Sequence, residues 1–202
     1  MPLNWNHPDL PDLLQQIQHA LHTAPSDPTN PLRTAAFITA SGSHPTARTV
    51  VLRRADADTR QLVFHTDARS AKLRELEQNP AVAWLFQHPG EQLQIRAAGT
   101  AARQSADELV RAAWAATPLP NRLNYCTTLP PGTPVNDPDA GLPAAWRHRE
   151  PTREETETGW ANFAVVITTL TRIEWLLLRP QGARRARFIW DGSAWSAQWL
   201  VP

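Results

Sequence analysis

Apolar positions change period once, early in the chain. Leu10, Leu13, Leu14, Ile17 and Leu21 recur every three or four residues, which predicts a helix over 9–24 capped by Asp9 or Asp12. A proline-rich stretch, 24–31, ends it. Apolar and polar residues then alternate. Segments 33–39 and 47–53 read as a hairpin about a turn at 41–45, and 61–66 as a third strand. Helical spacing returns over 70–78, where Ser70 caps, Leu73 and Leu76 face inward and Asn79-Pro80 stops the helix. Two strands, 81–87 and 92–103, follow around the turn at 88–91, and then a helix capped by Ser105 runs to Ala116. The end of the chain reads as four strands, 163–168, 172–178, 183–190 and 195–201, with Asp191-Gly192 as a two-residue turn between the last two. Segment 118–159 has no apolar periodicity and reads as an irregular, proline-rich surface excursion from one domain, 1–202.

Eight or nine short strands joined by tight turns call for an antiparallel sheet, not alternating β-α-β units. The predicted class is mainly β with flanking helices: an antiparallel closed or split β-barrel with helices packed outside.

Composition narrows the function. The chain has 202 residues and a formal net charge of +1, which argues against a nucleic-acid partner. Its single cysteine, Cys126, permits neither an intrachain disulfide nor a thiolate-rich metal site. The first residues lack a charged and then apolar leader, and no apolar run reaches the ~20 residues of a membrane span. The expectation is therefore a cytoplasmic protein with no membrane partner. Histidines lack H-E-x-x-H spacing, so no metal is expected, and serines lack the G-x-S-x-G context. No G-x-G-x-x-G is present. Catalytic side chains are not identified by the sequence.

Four segments carry candidate chemistry. Arg48-Thr-Val-Val-Leu-Arg53 sets a guanidinium at each end of an apolar strand; it suits a phosphate or carboxylate, or is two surface arginines at strand ends. Phe64-His-Thr-Asp-Ala-Arg-Ser-Ala-Lys72 brings hydroxyls, Arg69 and the only lysine of the chain to a helix start, a general anion site or an ordinary capped helix. Gln92, Gln94 and Arg96 share one strand face, either as donors for the edge of a heterocycle or as a solvated face. Arg184-Arg-Ala-Arg-Phe188, with Glu174-Trp175 upstream, is an anion clamp with a stacking ring or a basic hairpin rim.

In order and spacing these segments resemble the pyridoxamine 5′-phosphate oxidase-like, FMN-binding split-barrel family, together with Asn79-Pro-Ala-Val-Ala-Trp-Leu-Phe86 and Gln94-Ile-Arg-Ala-Ala-Gly99. The match runs over about 33–103 and more weakly over 160–202. The resemblance implies a homodimer with FMN at the subunit interface and hydride transfer from a small-molecule substrate to flavin N5. It implies that Arg48 and Lys72 bind the FMN phosphate, with Thr66 and Ser70 adding hydrogen bonds and His65, Arg69 and Arg53 nearby. Val50, Val51 and Leu52 would run along the flavin, Gln94 would meet its edge, Trp175 would lie beside it and Arg187 would reach it from the other subunit. Arg53, Arg184 and Arg185 are the expected substrate contacts. Arg53 stands where the family has a substrate-binding lysine, and 184–187 lacks the family's histidine. The FMN half of the site is therefore kept and the B6 half is altered. A flavin carrier or sensor without turnover, or a haem- or deazaflavin-binding relative, are the alternatives.

Overall fold

The predicted alternation builds a closed β-barrel. The structure is a computed structural model and describes residues 5, 9–42, 44–138 and 141–202, Ser41 by its backbone only. The expected turn residue Ser43 and most of the first eight residues lie outside the described ones. The elements are α1 (Leu10–Thr23), β1 (Thr34–Ser41), β2 (His44–Asp56), β3 (Gln61–Asp67), α2 (Ala71–Gln78), β4 (Ala81–His88), β5 (Leu93–Arg103), α3 (Asp107–Ala116), α4 (Leu119–Arg122), β6 (Phe163–Leu177), β7 (Arg184–Trp190) and β8 (Trp195–Leu200). The sheet order is β3-β2-β1-β4-β5-β6-β7-β8, and an added β3–β6 pairing closes the first six strands on themselves. All strand pairs are antiparallel, and β7–β8 continues from β6 as an arm. None of the described helices is long and apolar enough to cross a membrane.

Inward positions of the strands fill the barrel. Phe37, Phe64 and Trp84 meet with centroids 4.8–5.6 Å apart, and the Trp84 indole donates to Thr168 Oγ1 at 3.1 Å. Truncating a ring in such a cluster to alanine costs about 3–5 kcal/mol. Leu13, Ile17, Ala20 and Leu21 of α1 and Leu73 and Leu76 of α2 pack against this core. A second core lies outside the barrel, where Val63, Val165 and Phe163 of β3 and β6 meet Trp114 of α3 and Tyr125. It explains why the outer face of those strands is apolar too.

Four sequence expectations are corrected. Segments 163–168 and 172–178 are one strand, β6, with a bulge opposite Ala98/Gly99. β2 extends well beyond 47–53 in both directions and is bulged between Leu52 and Arg54, so Arg53 has no cross-strand partner on β3. Ser105 does not cap α3: Ala106 holds that position, and Gln104 Oε1 accepts from the amides of Ser105 and Ala106. Asp9 and Ser70 do occupy N-cap positions, but neither side chain makes a capping bond. The 118–159 excursion is pinned by Arg122, 1% exposed. Its guanidinium lies 4.3 Å from the Trp114 ring centre, donates to the carbonyls of Trp114 and Thr117, and pairs with Glu157.

Candidate functional site

The end of β3, the loop after it and the first turn of α2 gather the strongest cluster. Lys72 Nζ donates to Thr66 Oγ1 at 2.9 Å, and Ser70 Oγ lies 3.4 Å from the same oxygen. Thr66 and Ser70 are buried, and Lys72 is half-buried. Burial first, and then the nearby Arg48 charge, push the Lys72 ammonium below its ordinary pKa. The Leu73 amide donates to the Ser70 carbonyl at 3.1 Å, and the first turn of α2 carries the positive end of the helix dipole. Two cations, two hydroxyls and a helix start on one patch suit a phosphomonoester, so the donor set fits the phosphate of a flavin nucleotide.

Arg48 lies on the inward face of β2. It donates to Thr39 Oγ1 at 2.5 Å and Thr46 Oγ1 at 2.7 Å, and it pairs with Glu75 Oε2 at 2.9 Å. Thr39 and Thr46 donate to the same Glu75 oxygen. Glu75, three residues beyond Lys72 on α2, was not expected in the site; the spacing that sets it one helical turn from Lys72 is its only signal in the sequence.

Other expected contacts are placed elsewhere. Arg69 is committed to Asp67, at 2.7 Å between Nη2 and Oδ2, and to the carbonyl and hydroxyl of Thr127, so it braces the excursion. Val50 and Leu52 point into the barrel core, leaving Val51 as the outward residue of that trio. Trp175 is wholly buried, its indole Nε1 without a partner among the described residues and its ring edge-on to Trp199, so within one chain it is a core residue and not an exposed stacking face. Gln94 is half-buried on β5, and Arg187 on β7 donates to Gln198 at 3.1 Å. Two strands, β1 and β4, separate β5 from β2 in the sheet. Arg185 pairs with buried Glu174, which also takes Arg96 and Arg172. Burial alone would raise the Glu174 pKa, but these guanidiniums hold it at about 2.

Arg53 and His65 lie on the outer side of the barrel, where they line a cavity of about 400 Å³ roofed by α3. Burial, and then the Arg53 charge, lower His65 to about 4, so its imidazole is neutral near pH 7. Arg184 and Arg185 do not line this cavity; the structure separates them from Arg53 within one chain. Asn121, from the excursion, does line it and carried no signal in the sequence.

Residues 11–104 match the family model described as pyridoxamine 5′-phosphate oxidase, FMN-binding domain. A stretch of 64 residues is 45% identical to a pyridoxine/pyridoxamine 5′-phosphate oxidase of Rubrobacter xylanophilus, covering 32% of this chain and 29% of that protein. Across its whole length the chain is similar to the structure of a pyridoxamine 5′-phosphate oxidase-related, FMN-binding protein from Nostoc punctiforme, with TM-score 0.71, 25% identity and 98% of that chain covered. PhzG from Burkholderia lata, solved with tetrahydrophenazine-1-carboxylic acid, shares the fold at TM-score 0.67 and 19% identity, with 100% of this chain and 97% of that one covered.

Proposed function

We propose that the chain, whose residues 11–104 match the model of the pyridoxamine 5′-phosphate oxidase FMN-binding domain, is a member of that split-barrel family, binds FMN and acts as an FMN-dependent oxidoreductase on a small molecule. The observation that carries this reading is the convergence of Arg48, Thr66, Ser70 and Lys72 at the start of α2. In it, Lys72 and Arg48 offset the phosphate charge while Thr66 and Ser70 supply O–H donors. Glu75 holds the Arg48 guanidinium at the barrel mouth. Val51 offers an apolar outward surface on β2. FMN held by these residues would supply the redox chemistry, as the hydride acceptor for the substrate.

β6 pairs with Thr66 at Ala164 but with Gln94 at Leu176 and with Arg187 at Glu174, toward its other end, so the reading has Gln94 and Arg187 serve the flavin of a second copy in a homodimer. FMN is an intracellular nucleotide, and the reading places the protein in the cytoplasm.

Titration calorimetry of the flavin-free protein with FMN and with riboflavin tests the reading. FMN should bind far more tightly, and Lys72→Ala should cost ~1.5–3 kcal/mol of FMN binding while leaving riboflavin nearly unchanged, the range for a hydrogen bond to a charged group. Equal affinity for the two flavins overturns it. Turnover is then read as anaerobic bleaching of the bound flavin by candidate reductants.

A further inference from the structure

The cavity beside Arg53 differs in chemistry from the phosphate cluster. It lies between a sheet and a helix, with Val63 and Val165 on one wall and Leu109 and Ala113 on the other. Its volume of about 400 Å³ falls within the range of small-molecule sites, about 300–1,000 Å³. Arg53 enters it from the β2 bulge, a feature that re-aims side chains beside functional sites. Half-buried, Arg53 has no hydrogen bond or ion pair among the described residues.

The remaining polar groups are few. His65 is uncharged near neutral pH. The Thr117 hydroxyl is spent on the Ala113 carbonyl at 2.8 Å. Asn121 makes no side-chain hydrogen bond among the described residues, and Arg54 stands exposed at the rim, donating to Gln61. No carboxylate lines the cavity, so an entering ammonium meets no counter-charge and is repelled by Arg53. A phosphate dianion inside it would find the Arg53 guanidinium, one carboxamide and a neutral imidazole, with Arg54 exposed at the rim, and none of the free hydroxyls or the helix start gathered at α2. A carboxylate needs only the fork of one guanidinium.

Resting on the FMN reading above, we infer that this cavity is the substrate site and takes a small, flat, apolar acid with a single carboxylate, anchored by Arg53 and held between the sheet and α3, in preference to an amine-bearing B6 phosphate. Calorimetric titration of the flavin-loaded protein with 2-naphthoate, its uncharged isostere 2-naphthamide, and pyridoxamine 5′-phosphate tests this. Naphthoate should bind at least about tenfold more tightly than either of the others. Arg53→Gln should abolish its advantage over the amide, Arg53→Lys should keep most of it, and Ala113→Leu should weaken both naphthyl compounds alike. Tighter binding of pyridoxamine 5′-phosphate, or a naphthoate advantage that survives Arg53→Gln in folded protein, overturns the inference. The two readings fail separately. If the protein takes up no flavin, naphthoate selectivity lost on Arg53→Gln still upholds the ligand class. If flavin binds tightly and naphthoate is not preferred, the inference falls alone.

Discussion

At Glu75 a single carboxylate oxygen accepts from two hydroxyls and a guanidinium, and one of the hydroxyls, that of Thr39, is buried. Glu75→Ala strips these donors of their acceptor and should cost about 1–3 kcal/mol of stability, while Glu75→Gln, which keeps an acceptor, should cost less; denaturant midpoints report both. Glu174 contributes to acid sensitivity. Its folded pKa of about 2 lies below the ordinary 4.5, so its contribution is complete above about pH 4.5 and is lost as pH falls toward 2. Glu174→Gln should flatten the fall in stability across that window, followed as melting temperature against pH. That Thr66, Ser70 and Lys72 come together was legible in the sequence because the grouping is local: they sit within one strand-loop-helix turn, and the β2–β3 hairpin brings Arg48 near them. The pairing of Arg69 with Asp67, two residues before it, is equally local and was not weighed from the sequence. Trp175 and Leu52 are interior positions, which the sequence does not separate from flavin-side ones because both call for large apolar side chains.

Among the elements, β5 and β6 depend on one missing side chain. A Cβ on Gly99 would fall 2.0 Å from the Thr169 carbonyl oxygen, so the two backbones come this close at the bulge only with glycine there. Gly99→Ala should therefore destabilise by about 1–3 kcal/mol or more, the cost of overpacking a rigid site, seen as a lower denaturant midpoint. The same bulge explains why β6 reads as two strands. Along it the inward positions run Val166, Thr168, Leu170 and then Ile173, Trp175, Leu177, so the alternation changes parity at 171–172. β2 does the same, passing from Leu52 to Ala55 across Arg53. Alternation and turn residues thus revealed the strands, whereas a bulge inverts the pattern that reveals them. The excursion was opaque for another reason: Arg122 and Asn121 gain their roles only when α3 and the turns around Thr156 and Glu157 close over them.

For the whole molecule, tryptophan count is a poor guide to association. Trp84 and Trp175 are interior, and Trp190 packs against Trp195 and beneath Arg60. What the β7–β8 arm does expose is Trp199 and Ile189, each 40% accessible. If the arm meets a second copy, light scattering at micromolar concentration should give twice the chain mass, and Trp199→Glu should shift it to the monomer. The barrel's closure has a consequence for how the protein is made. β3 finds its second neighbour only in β6, with Asp67 opposite Phe163 and Gln61 opposite Thr169. A nascent chain therefore leaves the ribosome as an open sheet whose two raw edges, β3 and β5, wait through the synthesis of α3 and the whole excursion for one late strand to cover both. Unpaired edges are templates for wrong partners. A chain stopped after Arg103 should accordingly collect in aggregates that added β6 peptide does not rescue, and heat shock during synthesis should deplete the protein far more than the same shock applied afterwards.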